Sequence, residues 1–401
     1  MVCVSLSAAC LLAGYEFLRS TAASLFIDAY GSGRMPYAMT ASPLLMALLI
    51  YLYGRMLTRL GPLKSLHVSF LFTGAVLLSC FQVLRAGSKP AVAVLYVFTE
   101  AYIVILVEQF WSFINSSLAQ DQARLFNGPI LGGTAVGPIL AGLFVRRHAV
   151  SLGSEQMVLL AALSLIPTAL LIHAAYRLVG EPRPSLREQG GAFGALHLGL
   201  LREVPVLPLI ACVVFFTQVF ATAVNLRFYQ LLEQAMPLKD ARTAYLGSFW
   251  AAANSVVFVM QFVLTPLLLK RLSLKTALKA VPMFNILAGC AMLIFPSAGM
   301  AAVSLALFKG LDYSLFRASK EMIYIPLSYD ARYRVKQVVD SFCYRFSKGA
   351  TAGAFSAGAA AFGALPGPLY PGVALAAACA WLAAAFRLGD KVQGPVGTSV
   401  A

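Results

Sequence analysis

AVAVLYVFTEAYIVILVEQFWSFINSSLAQ, residues 91–120, carries Glu100 and Glu108 as its only charged side chains. A membrane-spanning helix needs about 20 consecutive, mainly apolar residues, and this stretch lacks the short-period alternation of a barrel strand. It therefore predicts a transmembrane helix with two carboxyls inside it. Segments of the same character recur at 2–28, 36–54, 66–84, 127–146, 156–176, 205–232, 243–269, 276–296, 298–327, 335–364 and 367–387. The 401 residues are 60% hydrophobic and 12% charged, which excludes a soluble domain. The expected fold is all-α, a polytopic membrane protein of about twelve transmembrane helices in two six-helix halves.

The net charge of +15 raises the question of a nucleic-acid partner, and the distribution of charge answers it. With the N-terminus placed inside, the inner loops and tail hold seventeen Lys and Arg and the outer loops seven. That bias predicts cytoplasmic termini, as in a bacterial inner membrane. No basic arm interleaved with aromatics exists to grip a polymer. The remaining seven cations fall inside the spans: Arg19, Arg227, Lys309, Arg317, Lys320, Arg345 and Lys348. A cation at bilayer depth is kept only against a partner, a water-filled cavity or a ligand. Several of them point to a small anionic substrate.

Each of the seven cysteines stands singly in an apolar span, without a metal or disulfide spacing. The segment MVCVSLSAACLLAGYEF (1–17) lacks the basic start of a signal peptide and reads as an uncleaved first span.

The longest polar stretch, RLVGEPRPSLREQGGAFGALHLGLLREV (177–204), divides the chain. It predicts a first half at 1–176, a cytoplasmic central loop, a second half at 205–388 and a tail at 389–401. The two halves echo one another. GRMLTRLGPLK (54–64) returns as PLLLKRLSLK (266–275), and Gly133 and Gly137 return as Gly349 and Gly353. Parallel repeats of six spans describe the major facilitator architecture. GRMLTRLGPLK also resembles that superfamily's signature for the loop between spans 2 and 3, with Thr58 where an acid usually stands.

Polar residues gather on helix faces. Glu108, Trp111 and Asn115 share one face of 91–120 at i, i+3 and i+7. The carboxyls there suit either proton sites or partners for the intramembrane cations. In LALFKGLDYSLFRASKEMIYIPLSYDARYRVKQVVD (305–340), Lys309 with Asp312 and Arg317 with Glu321 stand at pairing distance. Lys320 has no acid in register and becomes the better ligand contact. Asp340, Tyr344 and Lys348 share a face, while Glu16 and Arg19, and Asn225 and Arg227, add groups from two other spans. Arginine bridging two phosphate oxygens and lysine as a compact charge suit a phosphorylated anion. Cations from four spans are expected to meet at a central cavity.

FWSFINSSLAQDQARLFNGPILGG (110–133) and KGLDYSLFRASKEMIYIPL (309–327) resemble the bacterial and plastid ATP/ADP antiporters. Trp111, Phe113, Asn115, Ala123, Arg124 and Phe126 carry the first likeness. Tyr313 to Phe316, Lys320 to Met322 and Tyr324 to Leu327 carry the second. VKQVVD (335–340) and FSKGATAG (346–353) extend it and place Lys336, Asp340 and Lys348. The resemblance implies nucleotide exchange across a membrane, with lysines and glutamates handling substrate. The family has Asn-Leu-Val-Glu where this chain has Asn225-Leu226-Arg227-Phe228, so it reads as a distant branch.

The candidate substrate residues are thus Arg19, Glu108, Trp111, Asn115, Asn225, Arg227, Arg317, Lys320, Glu321, Asp340, Tyr344 and Lys348. No cofactor, metal or catalytic group is expected. His67, His148, His173 and His197 lie near span ends, and no nucleophile or HExxH motif exists. The expected protein is a monomeric exchanger and not an enzyme. The competing reading is a proton-coupled facilitator using Glu100 or Glu108.

Overall fold

In the computed structural model the described residues are 2–117, 120–180, 204–324, 339 and 343–392; for 115–117, 120–131, 133 and 392 the description extends to the backbone alone. Asp340, Lys336, the 325–327 end of the second family motif, most of the central loop and the tail from 393 lie outside them.

The described chain is helical throughout its ordered elements. These are α1 Val2–Tyr30, a 3₁₀ turn Ser32–Arg34, α2 Met35–Arg85, α3 Lys89–Ser117, α4 Gln120–Leu152 and α5 Ser154–Val179. There follow α6 Val206–Ala235, α7 Lys239–Val259, a π turn Met260–Leu264, α8 Thr265–Arg271 and α9 Leu274–Ile294. Then come α10 Ala298–Leu311, a second π turn Asp312–Phe316, α11 Arg317–Tyr324, α12 Tyr344–Phe362 and α13 Leu369–Val392. Among the described residues eight helical stretches are long and apolar enough to cross a membrane.

One of those stretches is α2 itself. At 1.5 Å per residue its 51 residues would run to about 76 Å, far beyond a hydrocarbon core of about 30 Å. Gly61 divides it, with φ 76° and ψ 172°, and Pro62 follows without a backbone N–H. The expected loop 54–64 is therefore mostly helix, broken at one glycine. The turn around Arg124 is likewise helical, within α4.

The chain packs as two compact units: residues 1–191 with 233–255, and residues 192–232 with 256–401. In the first, α1 lies chiefly against α4 and α5. Glycines make these approaches possible. A Cβ on Gly137 would sit 2.0 Å from the Ala9 carbonyl oxygen, and one on Gly14 would sit 2.0 Å from Ser164 Oγ. Small residues allow such backbone contact between membrane helices. Large apolar side chains such as Leu44, Leu71 and Leu170 face outward, as lipid requires and water would forbid.

In the second unit α9 packs on α13, and the two π turns lie against each other. Gly310 packs tightly against the helix that leads into the first π turn, since a Cβ would meet Val256 Cγ1 at 3.0 Å. A π turn inserts one extra residue into a helix and recurs at functional sites.

Candidate functional site

Among the described residues each unit contains a buried charged cluster within its helices. In the first unit, Glu16 of α1 is completely shielded. Its Oε1 accepts a hydrogen bond from Ser20 Oγ at 3.0 Å, and its Oε2 accepts one from Asn254 Nδ2 at 3.5 Å. Arg19 Nη1 stands 3.8 Å from the same Oε2. The Arg19 guanidinium lies over Trp250, its Cζ 3.1 Å from the ring centre. A cation pressed on an indole face is attracted by the ring quadrupole, most strongly where water is excluded. The arrangement fixes a guanidinium between a carboxylate and an aromatic face.

In the second unit the cluster grows from the π turn. Asp312 is 7% exposed and lies within electrostatic reach of Lys309, Lys320 and Arg317. The last two lie on α11. In an uninterrupted helix residue 320 would stand about 80° round from residue 312; the extra residue of the π turn brings the two within about 20°. The expectation that Lys320 lacks an acidic neighbour is corrected by that shift in register. Lys309 Nζ donates to the Tyr313 hydroxyl at 3.1 Å, and the Tyr313 hydroxyl is hydrogen-bonded to that of Tyr344. Arg345 acts on Tyr344 from the neighbouring position. Lysines and tyrosine hydroxyls grouped in this way supply charge and hydrogen bonds to an anion.

The other expected residues are distributed unevenly. Arg227 Nη1 donates to Gln230 at 3.3 Å. Its guanidinium presses on Gly367, where a Cβ would fall 2.6 Å from Nη1. Its described neighbours are thus Gln230 on its own helix, Gly367 in the α12–α13 connection and Tyr370 of α13, and not the charged groups of α10 and α11. Asn225 Oδ1 is buried without a hydrogen-bond partner among the described residues, as are Thr222 Oγ1 and Gln218 Nε2 on the same face of α6. Such atoms call for water or ligand. Glu108 and Arg317 are exposed, whereas Trp111, Glu321 and Lys348 are half-buried. Phe113 of the first family motif stacks on Tyr176 at 3.9 Å and serves packing. Asn115 is placed on α3 by its backbone alone, and Asp340 lies outside the described residues.

Trp250 and Asn254 are missing from the sequence reading, which names Glu16, Lys309 and Asp312 without placing them in the site. A lone Trp and Asn in an apolar span carry no signal until α1 is seen beside them. An apolar cavity of about 220 Å³ between α2 and α3, lined by Tyr53, Met56, Phe72 and Tyr102, offers no cation to an anion.

The connection from α6 to α7 forms a third polar group, within the first unit. Arg242 is 1% exposed. It donates to the Ser24 carbonyl at 2.9 Å, to Ser24 Oγ at 3.2 Å and to the Met236 and Pro237 carbonyls at 3.0 and 3.3 Å. Asp240 accepts from Ser154 N and Oγ at 2.9 and 2.6 Å. Lys239 pairs with Glu155, and Glu233 accepts from Ser32 N at 3.0 Å. This connection is therefore sewn to the ends of α1 and α5.

Comparison with solved structures identifies the fold. The fold is similar to a bacterial homologue of the iron transporter ferroportin in its inward-facing state, with TM-score 0.71 and 15% identity over 97% of this chain and 98% of that one. It is also similar to a D-xylose–proton symporter, with TM-score 0.65 and 14% identity over 94% and 96%. The chain is a multi-pass membrane protein with the fold of the major facilitator-type transporters.

Residues 249–391 match the family described as TLC ATP/ADP transporter. That range holds Trp250, Asn254, both π turns, Lys320, Tyr344 and Lys348. Two relatives are named ADP,ATP carrier protein 1. The one from Rickettsia bellii is 29% identical over 138 residues, covering 29% of this chain and 28% of that one. The one from Chlamydia trachomatis serovar D is 26% identical over 301 residues, covering 64% and 56%. The chain thus spans little more than half of the length of these curated relatives, or less. Over the matched residues the chain is similar to these ATP/ADP carriers, in line with the likeness carried by the motifs at 309–353.

Proposed function

We propose that the chain is a secondary transporter that exchanges a nucleotide or another phosphorylated anion across a bilayer by alternating access. The observation that carries this reading is the family match over 249–391, because it encloses the Lys309–Asp312–Tyr313–Tyr344 cluster together with Lys320 and Lys348. Arg19 on Trp250 supplies a second cation backed by an aromatic face. On this reading Arg19 is an anion contact of the first unit and Lys320, Tyr344 and Lys348 are anion contacts of the second, while Asn225 and its neighbours Thr222 and Gln218 in the second unit meet uncharged parts of the cargo.

The same proposal has twelve crossings in two six-helix halves joined by a cytoplasmic loop at 177–204, with both termini cytoplasmic. The distribution of Lys and Arg supports it. The protein acts as a monomer in a bacterial inner membrane.

A thermal-shift series on purified protein tests the substrate class. A ligand at 100 times its dissociation constant stabilises the folded form by about 2.7 kcal/mol. ADP or ATP should raise the melting temperature and neutral sugars should not. Stabilisation by uncharged metabolites alone would overturn the reading.

A further inference from the structure

The first unit buries a carboxylate at bilayer depth, and the expected roles of the cations leave it unused. Glu16 is 0% exposed. Ser20 and Asn254 hydrogen-bond to it, and Arg19 is the charged group that acts on it; no charged side chain of α3, α4 or α5 does so among the described residues. Arg19 is held from its other side by the Trp250 face and keeps 21% of its side chain exposed. The pair is therefore asymmetric. The cation has an aromatic support and reaches solvent itself, whereas the anion is held by two neutral hydrogen bonds and has no exposed surface of its own.

We propose that Glu16 is a proton-binding site linked to anion binding: the arriving anion takes the Arg19 guanidinium, and Glu16 then takes up one proton from the aqueous phase. This rests on the reading that Arg19 meets the transported anion. A buried carboxylate stripped of its counter-ion is strongly disfavoured, and neutralisation is the usual outcome. The step balances simply, carboxylate plus proton giving carboxylic acid. The neutral acid still accepts from Ser20 and Asn254 through its carbonyl oxygen, and it gains one O–H donor. Trp250 keeps Arg19 in place while Glu16 is neutral, because its attraction for the cation does not depend on the carboxylate.

Calorimetric titration of the full-length protein with ADP decides the matter, run in buffers of different ionisation enthalpy at a pH where the ADP phosphates are fully ionised. The wild type should show an apparent enthalpy that varies with the buffer, with a slope corresponding to uptake of about one proton per ADP. Glu16→Gln should still bind ADP and should lose that slope, while Glu16→Asp should keep it. Measurable binding with no buffer dependence in the wild type, or an unchanged slope in Glu16→Gln, would overturn the inference. If Glu16→Gln does not purify, the wild-type slope decides alone. Absence of ADP binding in every buffer would instead overturn the proposed function.

Discussion

Gly142 of α4 and Gly247 of α7 bring two helix backbones into contact: a Cβ on Gly142 would sit 2.6 Å from the Gly247 carbonyl oxygen, and one on Gly247 would sit 2.8 Å from that of Gly142. Backbone on both sides leaves no flexible side chain to give way. Overpacking of this kind costs about 1–3 kcal/mol. Gly247→Val should lower the melting temperature of the detergent-solubilised protein, and Gly142→Val should do the same. Gly33→Ala, which meets nothing within 4 Å, should leave it unchanged.

Arg242 holds the α6–α7 connection to the end of α1 through four hydrogen bonds to Ser24, Met236 and Pro237. Arg242→Ala takes the donor from three carbonyls, of which that of Ser24 is buried; leaving a buried one unsatisfied costs about 1–3 kcal/mol. The expected outcome is freer separation of the connection from α1. It is read as faster thiol labelling of a cysteine placed at Ser24 in a background without the native cysteines. Arg242→Lys should not restore protection, because a point charge cannot reproduce the guanidinium fork. Equal labelling rates in all three proteins would contradict the assignment.

The helical spans and the likeness to ATP/ADP antiporters are legible in the sequence, because lipid forces long apolar runs and the 309–353 motifs are dense. Local geometry is less so. The break at Gly61 falls inside the expected loop 54–64, yet the helix around it runs on where a polar loop is expected. The π turn at Asp312–Phe316 has no sequence signature, and it alone aligns Lys320 with Asp312. Arg242 counts as one more basic residue of an outer loop, although it is buried. Its burial depends on carbonyls contributed from residue 24, which no local pattern reveals.

Lys320 and Lys348 are expected to be needed for cargo and not for insertion. Lys320→Glu and Lys348→Glu should each lower nucleotide exchange by at least about tenfold, equivalent to about 1.4 kcal/mol of transition-state stabilisation. The amount of protein in the membrane should not change. In Lys320→Glu the new carboxylate falls beside Asp312, so adding Asp312→Asn should recover thermal stability without recovering exchange. Undiminished exchange in both single variants would remove these lysines from the site.

The proposed topology puts Thr58 inside and Ser151 outside, and both are exposed. Cysteines at these positions, in a protein without native cysteines, should react with an impermeant maleimide from opposite faces of sealed vesicles. Reaction of both from one face would contradict the crossing pattern.

Exchange itself is the central claim. An empty group of cations in a low dielectric repels itself, and a bound phosphorylated anion relieves that repulsion; loaded carriers should cross and empty ones should stall. Proteoliposomes preloaded with unlabelled ADP should therefore take up labelled ADP far faster than empty ones at equal pH. Equal uptake by empty vesicles, or uptake that follows an imposed proton gradient without internal nucleotide, would contradict the account.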